Sequence, residues 1–179
     1  RDKTMHRQYV AAVRGDAGEA AELCDFLLKD GRTNMVRAVP ANTPGAKDAK
    51  LRYQKCGEAD GLTLVRVRLF TGRSHQIRVQ LSHAGLPIWG DARYGGGKPG
   101  EQIALWGAHL GLIHPTKKEE MRFDALPPMD AQPWKRFGAA VWALLLFHEK
   151  VTPPLMIGGL TVIVGLMLYT YGEMKAGKR

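Results

Sequence analysis

An α+β fold is what this sequence predicts: a mixed, mainly antiparallel sheet with flanking helices, followed by a hydrophobic helical tail. Three observations lead there. From Arg1 to about Asp130 the chain consists of short alternating apolar and polar runs broken by turn residues, the pattern of strands in a soluble domain. One segment, Ser74 to Ala84, carries apolar positions at Ile77, Val79 and Leu81 behind a serine, which favours a helix although the alternation also fits a strand. Beyond residue 133 the composition turns strongly apolar. With 179 residues, 45% of them hydrophobic, the chain suits one ordinary domain plus an appendage.

In chain order, Gln8 to Val13 is expected as a strand and Ala20 to Leu28 as a short helix. A loop-rich region with Gly31, Pro40, Pro44 and Gly45 follows. Leu51 to Lys55 and Leu62 to Phe70 are expected as two further strands. In the second, Leu62, Leu64 and the arginine stems share one face, and Val65, Val67 and Leu69 share the other. Ser74 is the candidate N-cap of the helix after it. His109 and His114 fall near a strand pair.

The tail, 134–179, is a different text. Gly138 to Phe147 is an apolar run of ten, Pro153-Pro154 marks a turn, and the 17 residues from Leu155 to Tyr171 carry no charge before Lys175, Lys178 and Arg179. That pattern predicts a transmembrane helix over 155–171, with a buried helix of a soluble core as the alternative. Gly158, Gly159 and Gly165 suit close helix contacts in a membrane. The stretch from Leu146 through Pro153-Pro154 to Tyr169 resembles the last two helices of a drug/metabolite-type transporter; two helices cannot build a transport site, so the tail is expected to be a fusion, an assembly artefact or an anchor.

Charge narrows the partners. The chain carries 26 Lys+Arg against 17 Asp+Glu, a net +9, and the excess lies mainly before residue 137. A basic domain attracts polyanions, of which nucleic acid is the commonest, through phosphate neutralisation and counterion release. Cys24 and Cys56 are the two cysteines, far apart and without a metal-ligand pairing, which favours a reduced, cytoplasmic setting for 1–133. The expected membrane contact is confined to the tail.

The informative stretch is Thr71-Gly72-Arg73-Ser74-His75-Gln76-Ile77-Arg78, then Gly85-Leu86-Pro87-Ile88-Trp89-Gly90-Asp91 and Tyr94-Gly95. A strand ends at a glycine turn and delivers two arginines, a histidine and a glutamine into one small region, a cluster that needs a polyanion or a carboxylate. Arg73 and Arg78 lie five apart, so one can meet phosphate while the other points inward, where it must be paired. The plain alternative is two solvated surface cations. Gly95-Gly96-Gly97 with Lys98 lacks P-loop spacing and is expected to be a turn. His109 and His114 lack a carboxylate or cysteine to complete a metal site, and the four tryptophans are expected in core or interface.

These strings resemble the motifs of the RluA-type RNA pseudouridine synthases. Arg7 to Gly15 is similar to that family's tyrosine-bearing strand, and Leu105 to Leu110, His114-Pro115 and Phe123 to Pro127 are similar to its C-terminal segment. The resemblance covers roughly 1–130 and implies an incomplete catalytic domain over 1–133. It implies cofactor-free isomerisation of uridine in ribosomal or transfer RNA by a monomer. Tyr9 would stack on the flipped base and help move the C5 proton; Arg78 would pair with a catalytic aspartate. Arg73, His75 and Gln76 would contact RNA or shape the loop.

One element departs from the pattern. The family's catalytic aspartate stands in an Arg-Leu-Asp context before the tyrosine strand; no Arg-Leu-Asp occurs in these 179 residues, and only eight residues precede Tyr9. Asp91 belongs to a structural part of the motif. The expectation is a chain truncated at its start, inactive alone and exposing an apolar face or sheet edge. A non-catalytic RNA-binding module and a membrane protein acting through its tail are the competing readings.

Overall fold

A computed structural model describes residues 5–138, all within one compact unit, Arg1–Val141. The chain lays down β1 (His6–Arg14), β2 (Ala20–Lys29), β3 (Val36–Val39), β4 (Lys47–Ala59), β5 (Leu62–Leu69), α1 (Gln76–His83), β6 (Leu105–Ile113) and β7 (Glu120–Asp124), then a 3₁₀ turn at Trp134–Phe137. The strands form one seven-stranded sheet in the order β3-β2-β4-β5-β1-β6-β7. Every pairing is antiparallel, so among the described residues the expected mixed sheet is wholly antiparallel.

Local chemistry explains the tightest connection. Asp60 and Gly61 have φ of 50° and 73°, the left-handed pair that a two-residue type I′ turn requires, and they fold β4 directly onto β5 with Ala59 opposite Leu62. β1 lies between β5 and β6, and its run Val10 to Val13 is buried on both faces of the sheet. The same central position buries Leu62 to Val65 together, so β5 is apolar on both faces at that end and becomes arginine-bearing only at Arg66 and Arg68.

Three expectations need correction. Ala20 to Leu28 is a strand, paired with β4 over Ala20 to Leu27 and with β3 from Phe26 to Lys29. Its apolar Leu23 and Leu27 stand four apart, a spacing common to both periodicities, and the cross-strand partners decide between them. The helix after β5 does form, but Ser74 does not cap it: His75 takes the N-cap position with φ 52° and no side-chain cap. It is the one α-helix described, where flanking helices were expected. In the 3₁₀ turn Trp134 and Phe137 are buried, and Arg136 approaches Asp60.

Register sorts the side chains into two faces. Tyr9, Val67 and Tyr53 are cross-strand neighbours on one face; Gln8, Arg68 and Arg52 are neighbours on the other. α1 covers the first face, where Val79 packs with Leu27, Val36 and Ala49. The transmembrane segment expected at 155–171 lies outside the described residues, as does the transporter-like pattern; among the described residues no helix is long and apolar enough to cross a membrane.

Candidate active site

Tyr9, Arg73, His75, Gln76 and Arg78, the five residues singled out in the sequence, all line one cleft of about 400 Å³. Its floor is sheet: Arg7, Tyr9, Leu69 and Leu105 project from β1, β5 and β6. Its wall is the loop from Gly72 to His75 and the first turn of α1. A register shift between β1 and β6 falls at Gln8 and Tyr9, the kind of bulge that re-aims a side chain. Gly107 faces the tyrosine there, and a Cβ on it would lie 3.9 Å from the Tyr9 ring.

Gln76 holds the wall in shape. Its Oε1 accepts the Arg73 backbone N–H and the Thr71 hydroxyl, both at 2.9 Å, and its Nε2 donates to the Lys50 carbonyl and to Gln80 Oε1. Gln80 continues inward, donating to Asp25 Oδ2 at 2.8 Å and close to the carbonyls of Leu23 and Ala49. Gln76 is only 3% exposed, and its amide is hydrogen-bonded to the loop and to Gln80 within the protein. Arg73 is tied to the start of β4, donating from Nε to the Asp48 carbonyl and from Nη2 to Asp48 Oδ1, both at 2.7 Å.

Arg78 points inward and is paired. Its Nε and Nη2 donate to the two oxygens of Asp91 at 2.9 and 2.7 Å, and its guanidinium stands 4.9 Å from the centre of the Tyr94 ring. Asp91 is 1% exposed and also accepts the backbone N–H groups of Arg93 and Tyr94. Burial by itself would raise its pKa, but the Arg78 hydrogen bonds and those two N–H groups outweigh it and hold the carboxyl below its usual range. A carboxylate so enclosed is structural. The loop that carries it is glycine-dependent: Gly90 has φ 73°, and a Cβ there would meet the Gln102 carbonyl oxygen at 2.4 Å. Gly95 and Gly97 donate their N–H groups to the Asp91 carbonyl, so this glycine run is a turn, as its spacing predicts.

His75 meets Tyr94. The tyrosine hydroxyl accepts the Val36 N–H at 3.0 Å and lies 2.8 Å from His75 Nδ1; its oxygen can accept a second hydrogen bond, so the direction of that contact follows the histidine tautomer. Burial, reinforced by Arg78, Arg93 and Lys29 and opposed by Asp91, lowers the histidine's pKa and favours the neutral ring. Sequence reasoning assigned no role to Arg7 or Tyr94 and gave Arg78 no partner within the chain. Arg7 had a signal, because it stands two residues from Tyr9 on the same strand face; the Arg78–Asp91 and His75–Tyr94 contacts depend on how the loop returns. No carboxylate lines the cleft among the described residues, and no cluster there suits a metal ion. His109 Nδ1 instead lies 2.7 Å from Asp124 Oδ1, and the His114 ring takes the N–H groups of Thr116 and Lys117.

Comparison with known proteins decides the family. A model of the RNA pseudouridylate synthase family matches residues 1–83, which include Tyr9 and the whole motif through Arg78. An uncharacterized RNA pseudouridine synthase of Bacillus subtilis is 36% identical over 128 residues, covering 70% of this chain and 44% of that protein. This chain belongs to the RNA pseudouridine synthase family. Ribosomal large subunit pseudouridine synthase D of Zymomonas mobilis is 31% identical over 141 residues (73% of this chain, 44% of the relative), and synthase C of Yersinia pestis is 35% identical over 139 (73% and 42%). The chain therefore spans less than half the length of these pseudouridine synthases. In fold it is similar to human RNA Pseudouridylate Synthase Domain Containing 1, with a TM-score of 0.59 at 18% identity over 78% of this chain and 66% of that one. Domain Containing 4 gives 0.56 at 19% identity, over 77% and 62%.

Proposed function

We propose that this chain supplies the base-holding and arginine-bearing part of an RNA pseudouridine synthase site, acting on a uridine in ribosomal or transfer RNA without a cofactor. The observation that carries the reading is the convergence of Tyr9 with Arg73, His75 and Arg78 on one cleft. The reaction is an isomerisation: the N1–C1′ bond breaks, the base turns, a C5–C1′ bond forms, the C5 proton leaves and N1 gains one. Tyr9 offers an aromatic face for a flipped base and a hydroxyl near its edge. Arg73 and His75 meet RNA at the rim, and Arg78, with two of its N–H groups held by Asp91, presents the rest of its guanidinium to the cleft and to a nucleophilic carboxylate.

That carboxylate is proposed to come from outside these 179 residues, because no Arg-Leu-Asp stands within them. A non-catalytic RNA-binding module is the second reading, favoured by the absence of a carboxylate among the described residues lining the cleft. The test is tritium release from C5-labelled uridine in RNA, by this chain and by the protein translated from its whole reading frame. Release by the latter supports the enzyme; RNA binding with no release by either supports the module.

A further inference from the structure

Opposite the cleft, the sheet carries a second feature that the base-isomerising reading does not use. Arg52 of β4 and Arg68 of β5 are direct cross-strand partners, so two guanidinium groups face solvent side by side. Like charges in that register oppose folding. Among the described residues neither forms an ion pair; the nearby carboxylate of Glu22, opposite Arg52 on β2, goes instead to Lys50 at 2.7 Å. Arg66, on the same face, adds another cation. Between these groups Phe70 is 47% exposed, with Arg68 and Lys50 set 5.4 and 5.5 Å from its ring centre. An exposed aromatic ring among cations suits a strand of bases and phosphates.

The patch adjoins the cleft through the chain itself. Phe70 directly precedes the wall loop, Thr71 bonds the backbone of Lys50, and Arg73, which lines the cleft, is fastened to Asp48 two residues before Lys50. We propose that RNA flanking the target nucleotide leaves the cleft over this loop and continues across the open face of the sheet, its phosphates on Arg52 and Arg68 and a base against Phe70. The inference rests on the RNA-modifying reading above and extends it to a single-stranded flank held on the far face.

The experiment uses the full 179-residue chain and a short fluorescein-labelled, uridine-containing single-stranded RNA, with anisotropy followed across a salt series. Arg52→Ala with Arg68→Ala is expected to weaken binding about tenfold and to reduce the slope of log affinity against log salt by roughly 1.4, two phosphate contacts at about 0.7 each. Arg32→Ala with Lys117→Ala removes the same charge from exposed positions elsewhere and is expected to change both far less. Relief of the opposed arginines predicts a melting temperature equal to or above the parent's for the first pair, which separates lost binding from lost folding. Binding by the Arg52/Arg68 variant equal to that of the control overturns the patch and leaves the cleft reading standing; a lowered melting temperature overturns the like-charge argument. If the parent chain binds no RNA, the patch and the RNA reading fail together.

Discussion

Replacing Arg78 by alanine tests the most specific interaction at the site. The substitution removes two of the four hydrogen bonds that the Asp91 carboxylate accepts, both charge-assisted, and leaves a carboxylate of 1% exposure with only the Arg93 and Tyr94 backbone N–H groups. Breaking a buried pair from one side costs about 3–5 kcal/mol. The Arg78 side chain is 24% exposed, so some water already reaches the pair and the lower end applies. Loss of the contact with the Tyr94 ring adds about 0.5–1 kcal/mol. A destabilisation of about 3–4 kcal/mol is a large part of the roughly 5–15 kcal/mol typical of a domain.

The assay is urea unfolding of the chain followed by tryptophan fluorescence, with the shift in midpoint read at constant slope. Arg78→Lys keeps the charge but loses the fork and is expected to cost about 1–2 kcal/mol. Adding Asp91→Asn to Arg78→Ala removes the stranded charge, so the double variant is expected to be more stable than Arg78→Ala alone. An Arg78→Ala protein within about 0.5 kcal/mol of the parent would refute the reasoning, because surface substitutions give that much. The result also bears on any activity assay: a dead Arg78→Ala enzyme is informative only where it is shown to be folded.

Other outcomes follow from the same contacts. Gly90→Ala is expected to cost more than about 2 kcal/mol, since it combines a positive φ with a 2.4 Å approach to a backbone oxygen; thermal melting checks it, and a Tm near the parent's contradicts the crowding. Gln80→Leu removes one partner from the Gln76 amide, which keeps the Lys50 carbonyl, and one from Asp25, which keeps His83, and should destabilise by about 1–2 kcal/mol on the same urea scale. Stability should fall in two stages on acidification. His75, held below its ordinary pKa of 6.5, contributes stability above that value that is lost as the unfolded chain takes up the proton; Asp91, held below 3.8, contributes stability present above about that pH and lost as pH falls through its folded value. In His75→Gln the stage near pH 6 is expected to shrink, and an unchanged profile would exclude His75 as its source.

How much of this was legible in the sequence differs by element. β1, β4 and β5 fall where strands are expected from the sequence, and the motif from Thr71 to Arg78 marks a shared site, because residues joined by a glycine turn stay together in space. The strand β2 was misread as a helix, since Leu23 and Leu27 satisfy both periods and only pairing with β3 and β4 chooses between them. The capping of α1 was hidden for a different reason: a left-handed His75 at the N-cap is stabilised by tertiary contacts, including its ring against Tyr94 nineteen residues away. The need of an inward arginine for a partner was foreseeable, whereas the identity of that partner depended on the Gly90 and Gly97 turns bringing Asp91 back to the helix.

Tritium release from C5-labelled uridine in RNA, compared between the protein read from its whole frame and its Tyr9→Phe variant, tests the central claim most directly. Tyr9→Phe keeps the ring on β1 and removes only the hydroxyl, so folding and RNA binding should hold while release falls by about 10²–10⁴-fold, the usual worth of a positioned proton-transfer group. Release at the parent's rate from Tyr9→Phe would contradict the role given to the cleft.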